Sequence, residues 1–212
     1  MRQRQAKFQA PEAGLILGRY LMTAVAILRR ELVVNKIACR IIGITAFVVL
    51  MGLGAFVRIP LPFSPVPVTL QTMFVLLSGA FLGQGFGTAA QVLYVTLGIA
   101  GLPIFSGAGS GLLYLTGPTG GYLFGFIVAG FLTAHLLRKT PHTFWAIFSR
   151  LLLADLVIFI FGLLWLKAIS GSTLSTLLLI GFVPFIPGDL IKTCVAAALY
   201  FRLKTRLRVI FG

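Results

Sequence analysis

Six apolar runs, parted by short polar, glycine-rich or proline-rich segments, organise the chain from residue 38 onward, at about 38–57, 68–83, 86–102, 120–137, 147–166 and 187–203. Several are short against the ~20 residues that span a bilayer core. The pattern predicts an all-α membrane protein, a six-transmembrane-helix bundle occupying residues 36–212. Ahead of it, residues 13–28 form a weaker apolar stretch, broken by Arg19 and ended by Arg29, Arg30 and Glu31. This stretch is too interrupted to span and lacks the small-residue cleavage pattern of a signal peptide. Residues 1–35 are therefore expected to be a basic, amphipathic extension lying on the inner membrane surface.

Composition agrees with the pattern. With 58% hydrophobic and 10% charged residues and a mean hydropathy of +1.03, the chain has too little polar surface to coat a soluble globule. The net charge of +14 would suggest nucleic acid in a soluble protein, but its placement says otherwise. Of the eighteen Lys and Arg residues, fifteen fall in residues 2–40, 138–150 and 202–208. With six spans these segments share one side, while Arg58 and Lys167 fall on the other. The excess of basic residues in cytoplasmic segments then places both termini in the cytoplasm of a multi-pass protein of the cytoplasmic membrane. The charge reports topology and contact with anionic lipid in the bilayer, with no nucleic acid partner.

Several function classes are disfavoured by what the chain lacks. No GxxxxGK[ST] loop is present and no soluble segment is large enough for an ATPase domain, so ATP-driven transport would draw its energy from other subunits. No paired acids stand at metal-holding spacing and no Ser, His and Asp constellation is seen, while His135 and His142 lie around the cytoplasmic 4–5 loop. An enzyme is disfavoured and no cofactor is expected. Cys39 and Cys194 read as packing residues, with neither a disulfide nor a metal site indicated. No inverted repeat of the secondary-transporter kind is visible.

The outward connections are the distinctive ones. Ile59 to Pro67 carries four prolines in nine residues, which forces a stiff, extended path, a preformed wall. Gly101 to Gly121 carries seven glycines and no charge, so its backbone can approach a ligand or a helix closely. Its apolar Leu112, Leu113 and Tyr114 suggest that it folds back onto the protein. A proline followed by an acid in PFIPGD (184–189) marks the start of the last helix, near the outer surface.

Within that helix GDLIK sets Asp189 and Lys192 one turn apart in an apolar stretch. The chain has only four acidic residues, and each intramembrane charge costs roughly 2.5 to 3.5 kcal/mol on insertion scales. Mutual neutralisation at i, i+3 would account for the pair, and a cap would account for Asp189 alone; a ligand site would account for both. Thr69, Gln71 and Thr72 fall in the first turn of the second helix, and Tyr122 lies just under the GPTGG turn. With Tyr114, Ser110, Asp189 and Lys192 they could line one outward pocket suited to a small, partly polar molecule. Gln91 suits an interhelical hydrogen bond. Asp155 is read as structural and some distance from Asp189.

Four ordered segments carry a family likeness: PVPVTLQT (65–72), GIAGLPIF (98–105), GPTGGY (117–122) and PFIPGDLIK (184–192). Over about residues 38–204 the chain resembles the BioY family, substrate-binding membrane components of energy-coupling-factor transporters for biotin. The resemblance implies a six-helix substrate-binding domain that captures biotin from outside in a loop-closed pocket. It also implies partners, namely a coupling transmembrane subunit and ATPase subunits. Asp189 would accept from a ureido NH of biotin, and Lys192 would donate to the ureido carbonyl or to the carboxylate. Gln71, Tyr122, Tyr114 and Ser110 would complete the site. One departure concerns the small-residue Ala-x-x-x-Ala face that such components present to the coupling subunit. Here Leu50 follows Ala46, and Cys39, Gly43 and Ala46 are the small residues in its place. A stand-alone facilitator or channel for another small vitamin-like solute is the alternative function.

Overall fold

A computed structural model describes residues 36–139 and 143–211. The expected extension over 1–35 lies outside the described residues. The bundle and its pocket belong to the unit Arg40–Gly212. In chain order the elements are α1 (Lys36–Phe56), β1 (Arg58–Ile59), β2 (Val68–Thr69), α2 (Gln71–Ile99), α3 (Leu112–Thr116), α4 (Gly120–Leu137), α5 (Phe144–Ser170), α6 (Leu174–Gly181), a 3-10 turn (Val183–Phe185) and α7 (Ile186–Phe211). The protein is mostly helical, and among the described residues five helical segments are long and apolar enough to cross a membrane.

The second and third apolar runs fall together in α2, which is interrupted at Gly83 (φ 80°, ψ −179°). The interruption is a fold-back. Gln71 Nε2 donates to Tyr94 Oη at 2.5 Å across 23 residues, which a continuous helix rising ~1.5 Å per residue would hold about 35 Å apart. Gln91 Nε2 likewise reaches Ser78 Oγ at 2.6 Å. The arms 71–82 and 84–99 therefore lie side by side, and Gln91 makes the interhelical bond expected of it. Glycine is required where they touch: a Cβ on Gly87 would come within 2.8 Å of Gly79 Cα, and one on Gly79 would strike the Gly130 carbonyl of α4. Small residues at such crossings let backbones approach in the absence of a hydrophobic driving force between helices.

Around this hairpin, α4 packs on α2 and α5, and α7 packs on α2 and α5. Buried Val75, Leu76, Tyr94, Leu123, Phe126, Ile147, Leu151, Ile158 and Tyr200 belong to one apolar core. The helix ends follow local rules. Gly171 takes the left-handed conformation (φ 66°) that closes α5. The Thr173 side chain accepts from Thr176 N to cap α6, and Pro187 stands in the first turn of α7. Arg150 Nη1 donates to the Leu136 and Lys139 carbonyls at 2.8 Å each, satisfying acceptors at the end of α4.

Two local expectations change. The loop 101–121 contains the short helix α3, whose Leu112 and Leu113 are exposed (Leu113 by 85%), while Leu115 is buried. The inward contacts are made by Phe105 and Tyr114, stacked at 4.9 Å. An additional helix, α6, fills the connection after α5, where no run was assigned. On α1, Gly43 is buried and Ala46, one turn further on, is exposed.

Candidate functional site

The pocket is assembled at one end of the bundle by β1–β2, the start of α2, the glycine-rich loop, the start of α4, mid-α5 and the start of α7. Residues 58–59 and 68–69 pair antiparallel, Arg58 with Thr69 and Ile59 with Val68. This ties the two ends of the proline-rich segment together and holds Val66 and Pro67 as one wall. Directly after it α2 opens with Gln71 and Thr72. On the facing helix, Asp189 and Lys192 are buried, 4% and 7% exposed.

These side chains form a clasp. Lys192 Nζ is ion-paired with Asp189 Oδ1 and donates to the Thr69 carbonyl at 2.9 Å and to Thr72 Oγ1 at 2.8 Å. Thr72 Oγ1 in turn donates to Asp189 Oδ1 at 3.1 Å. All three ammonium protons thus have acceptors, which is what a buried charge requires. The carboxylate is less fully served: Asp189 Oδ2 is buried without a hydrogen-bond partner among the described residues.

The loop is pinned to the same place. Tyr94 Oη accepts from Gln71 and donates to the Ile104 carbonyl at 2.7 Å, and Tyr114 Oη donates to the Ser106 carbonyl at 3.1 Å. Burial pushes the Tyr114 phenol above the usual tyrosine range, so it remains a neutral donor. Tyr122 Oη donates to the Gly181 carbonyl at 2.9 Å, and its ring meets Phe159 edge-on at 6.2 Å. Phe159 also contacts Phe185 at 5.8 Å, completing an aromatic side. The GPTGG turn makes this arrangement possible: a Cβ on Gly121 would collide with Trp165 and the Phe161 carbonyl of α5, while Trp165 Nε1 donates to the Gly117 carbonyl at 3.0 Å.

Of the residues expected from sequence, Gln71, Tyr114, Tyr122, Asp189 and Lys192 line this one pocket, and Thr69 and Thr72 join them. Ser110 does not. It is exposed, because the loop reverses through Gly107, Ala108 and Gly111, all at positive φ, and a bridge between Phe105 and Gly109. Ser106 stands on the wall instead. Phe159 and Phe185 were also missed; Phe185 sits inside the PFIPGD segment, while Phe159 carries no signal beyond its apolarity. Asp155 is buried in the middle of α5 and does not line the pocket.

The cavity itself is narrow, about 50 Å³. At ~10–15 Å³ for one water that admits a few waters, so a larger ligand requires wall side chains to move. An acceptor, a cation, hydroxyls and aromatic faces converging on an apolar cleft suit a small molecule with a compact polar ring.

Comparison with known proteins follows the same lines. The family model for BioY matches residues 13–209. This chain belongs to the BioY family. The match begins within the first 35 residues, ahead of the motifs that signal the family from residue 65 onward. Biotin transporter BioY of Thermotoga maritima is 43% identical over 159 residues, covering 74% of this chain and 91% of that family member. Biotin transporter BioY of Lactococcus lactis subsp. cremoris is 33% identical over 165 residues, 76% and 86% of the two chains. Among solved structures, the S-component for biotin from an ECF-type ABC transporter superposes with a TM-score of 0.76 at 29% identity, covering 81% of this chain and 93% of its own. Like those family members, the chain is a multi-pass membrane protein.

Proposed function

We propose that this chain captures biotin and mediates its uptake across the cytoplasmic membrane as the substrate-binding component of an energy-coupling-factor transporter, with separate coupling and ATPase subunits supplying the energy. The observation that carries the reading is the buried Asp189–Lys192 pair, set at the foot of a loop-walled pocket in a chain so similar to biotin transporters. A membrane protein that buries a charge pair beside a cavity, with one carboxylate oxygen unpaired, has a specific use for it.

In this reading Asp189 Oδ2 accepts from a ureido NH of biotin while Lys192 turns from Thr69 toward the ligand. Gln71, Tyr114 and Tyr122 shape the walls. Ser110 has no part in it. The chain crosses the membrane six times with both termini in the cytoplasm, a count favoured by the fold-back of α2 and by the sidedness of the basic segments. Residues 1–35 form an extension ahead of the six-helix domain over 36–212. The role is binding and transport, with no catalysis by this chain.

Calorimetric titration of the detergent-purified protein with biotin tests this, with desthiobiotin and thiamine as comparisons. The expected result is saturable one-to-one binding of biotin, weakened on the order of a hundredfold in a Lys192→Ala variant that still elutes as a monodisperse species. Absence of heat with biotin in a folded sample would refute the ligand assignment. Biotin flux into liposomes containing this chain alone, without ATP or partners, would favour a facilitator instead.

A further inference from the structure

A second cavity adjoins the first and shares Pro67, Ser106, Tyr114 and Thr119 with it. Arg58 lines this outer chamber, on the proline-rich side, where it stands out as a charge next to an otherwise uncharged loop. Its place is fixed by the β-hairpin. Arg58 pairs across the ladder with Thr69, whose carbonyl accepts from Lys192. One short rung thus links the outer cation to the inner clasp, its two Cα atoms about 5 Å apart.

From there the guanidinium lies over Gly107, where an added Cβ would strike Nη1. Among the described residues it makes no hydrogen bond or ion pair, and its charge is felt at Tyr114. Beside it, Ser106 Oγ is buried without a hydrogen-bond partner. An unpaired fork of donors in the second cavity and an unpaired hydroxyl on the wall that it shares with the first are the elements of a carboxylate receptor. Of the described cations, only Arg58 and Lys192 line the two chambers, and Lys192 is already committed to Asp189 and the two threonines.

We propose that Arg58, with Ser106 beside it, receives the carboxylate at the end of the ligand's alkyl arm, leaving the Asp189–Lys192 pair to the polar ring. This rests on the reading of the pocket as a biotin site and gives the ligand a direction, ring inward and acid outward.

The test is calorimetric titration of the full chain with biotin and with biotinamide, which keeps the ring and arm but has no charge. The unaltered protein is expected to prefer biotin by about tenfold, the size of one charge-assisted contact. Arg58→Gln should weaken biotin by about tenfold and leave biotinamide within about twofold, so that the preference disappears, while Arg58→Lys restores part of it. If Arg58→Gln weakens both ligands equally, the residue only props the loop and the proposal falls. If the preference survives in Arg58→Gln, the carboxylate belongs to Lys192 and the proposal falls likewise. Failure of the unaltered protein to bind either ligand would overturn the biotin reading itself, and this assignment with it.

Discussion

Asp189 and Asp155 are both buried acids in an apolar bundle, 4% and 2% exposed, yet their surroundings differ. Asp189 stands in the first turn of its helix, where free backbone NH groups favour an anion, and it is clasped by Lys192 and Thr72. Asp155 sits mid-helix in α5 among Leu151, Ala154 and Ile158. Its Oδ1 has no hydrogen-bond partner among the described residues, and no helix end is near. The difference separates a carboxylate with polar partners that it could exchange from a carboxylate set among apolar side chains. Burial alone, nearly equal in the two, does not choose between them as the proposed binding group.

Substitutions can break or sharpen this contrast. The largest effect is expected from Lys192→Ala, which strands Asp189 and removes the cation. Biotin affinity should fall on the order of a hundredfold by titration, since charge-assisted bonds are worth about 1.5 to 3 kcal/mol each. Asp189→Asn should cost about tenfold, whereas Asp155→Asn, measured in parallel, should stay within about threefold and leave the melting temperature unchanged or raised, because it relieves an unpaired buried carboxylate. Equal losses at the two acids would erase the distinction. Next comes Thr72→Val, which removes a hydroxyl shared by both members of the clasp; an affinity loss of about fivefold corresponds to one ordinary hydrogen bond of ~1 kcal/mol. Gln71→Leu frees Tyr94 and the loop carbonyl behind it, and a loss of about threefold is expected, read mainly as faster dissociation in a stopped-flow chase. Ser110→Ala should change nothing measurable, while any weakening comparable to Thr72→Val would show that the loop turns its other face inward.

Much of the architecture was legible because membrane helices announce themselves by apolar length, and the gap between the runs 68–83 and 86–102 fell at the Gly83 fold-back. The clasp was legible for a related reason, that ionisable residues in apolar surroundings are rare enough to notice. What escaped the sequence depended on handedness and register. Whether Ser106 or Ser110 faces the pocket is decided by positive φ at Gly107, Ala108 and Gly111, and alanine gives no warning of that. Arg58 reads as a lone outer charge until two-residue strands set it opposite Thr69. Leu112 and Leu113 look like core residues in a chain whose exterior is equally apolar, so hydrophobicity could not say which way α3 turns. The segment that became α6 is eight residues long, below the length at which a run signals a span.

The Asp189–Lys192 pairing also bears on how the protein lets go. A receptor whose charges were satisfied only by its ligand would expose bare ions to hydrocarbon at every unloading step, and would hold its cargo too long to be useful. On the proposed reading, each member of the pair has an opposite charge one turn away on the same helix to return to when the ligand leaves. Release would then leave neither charge unpaired, and tight capture and repeated turnover would be compatible.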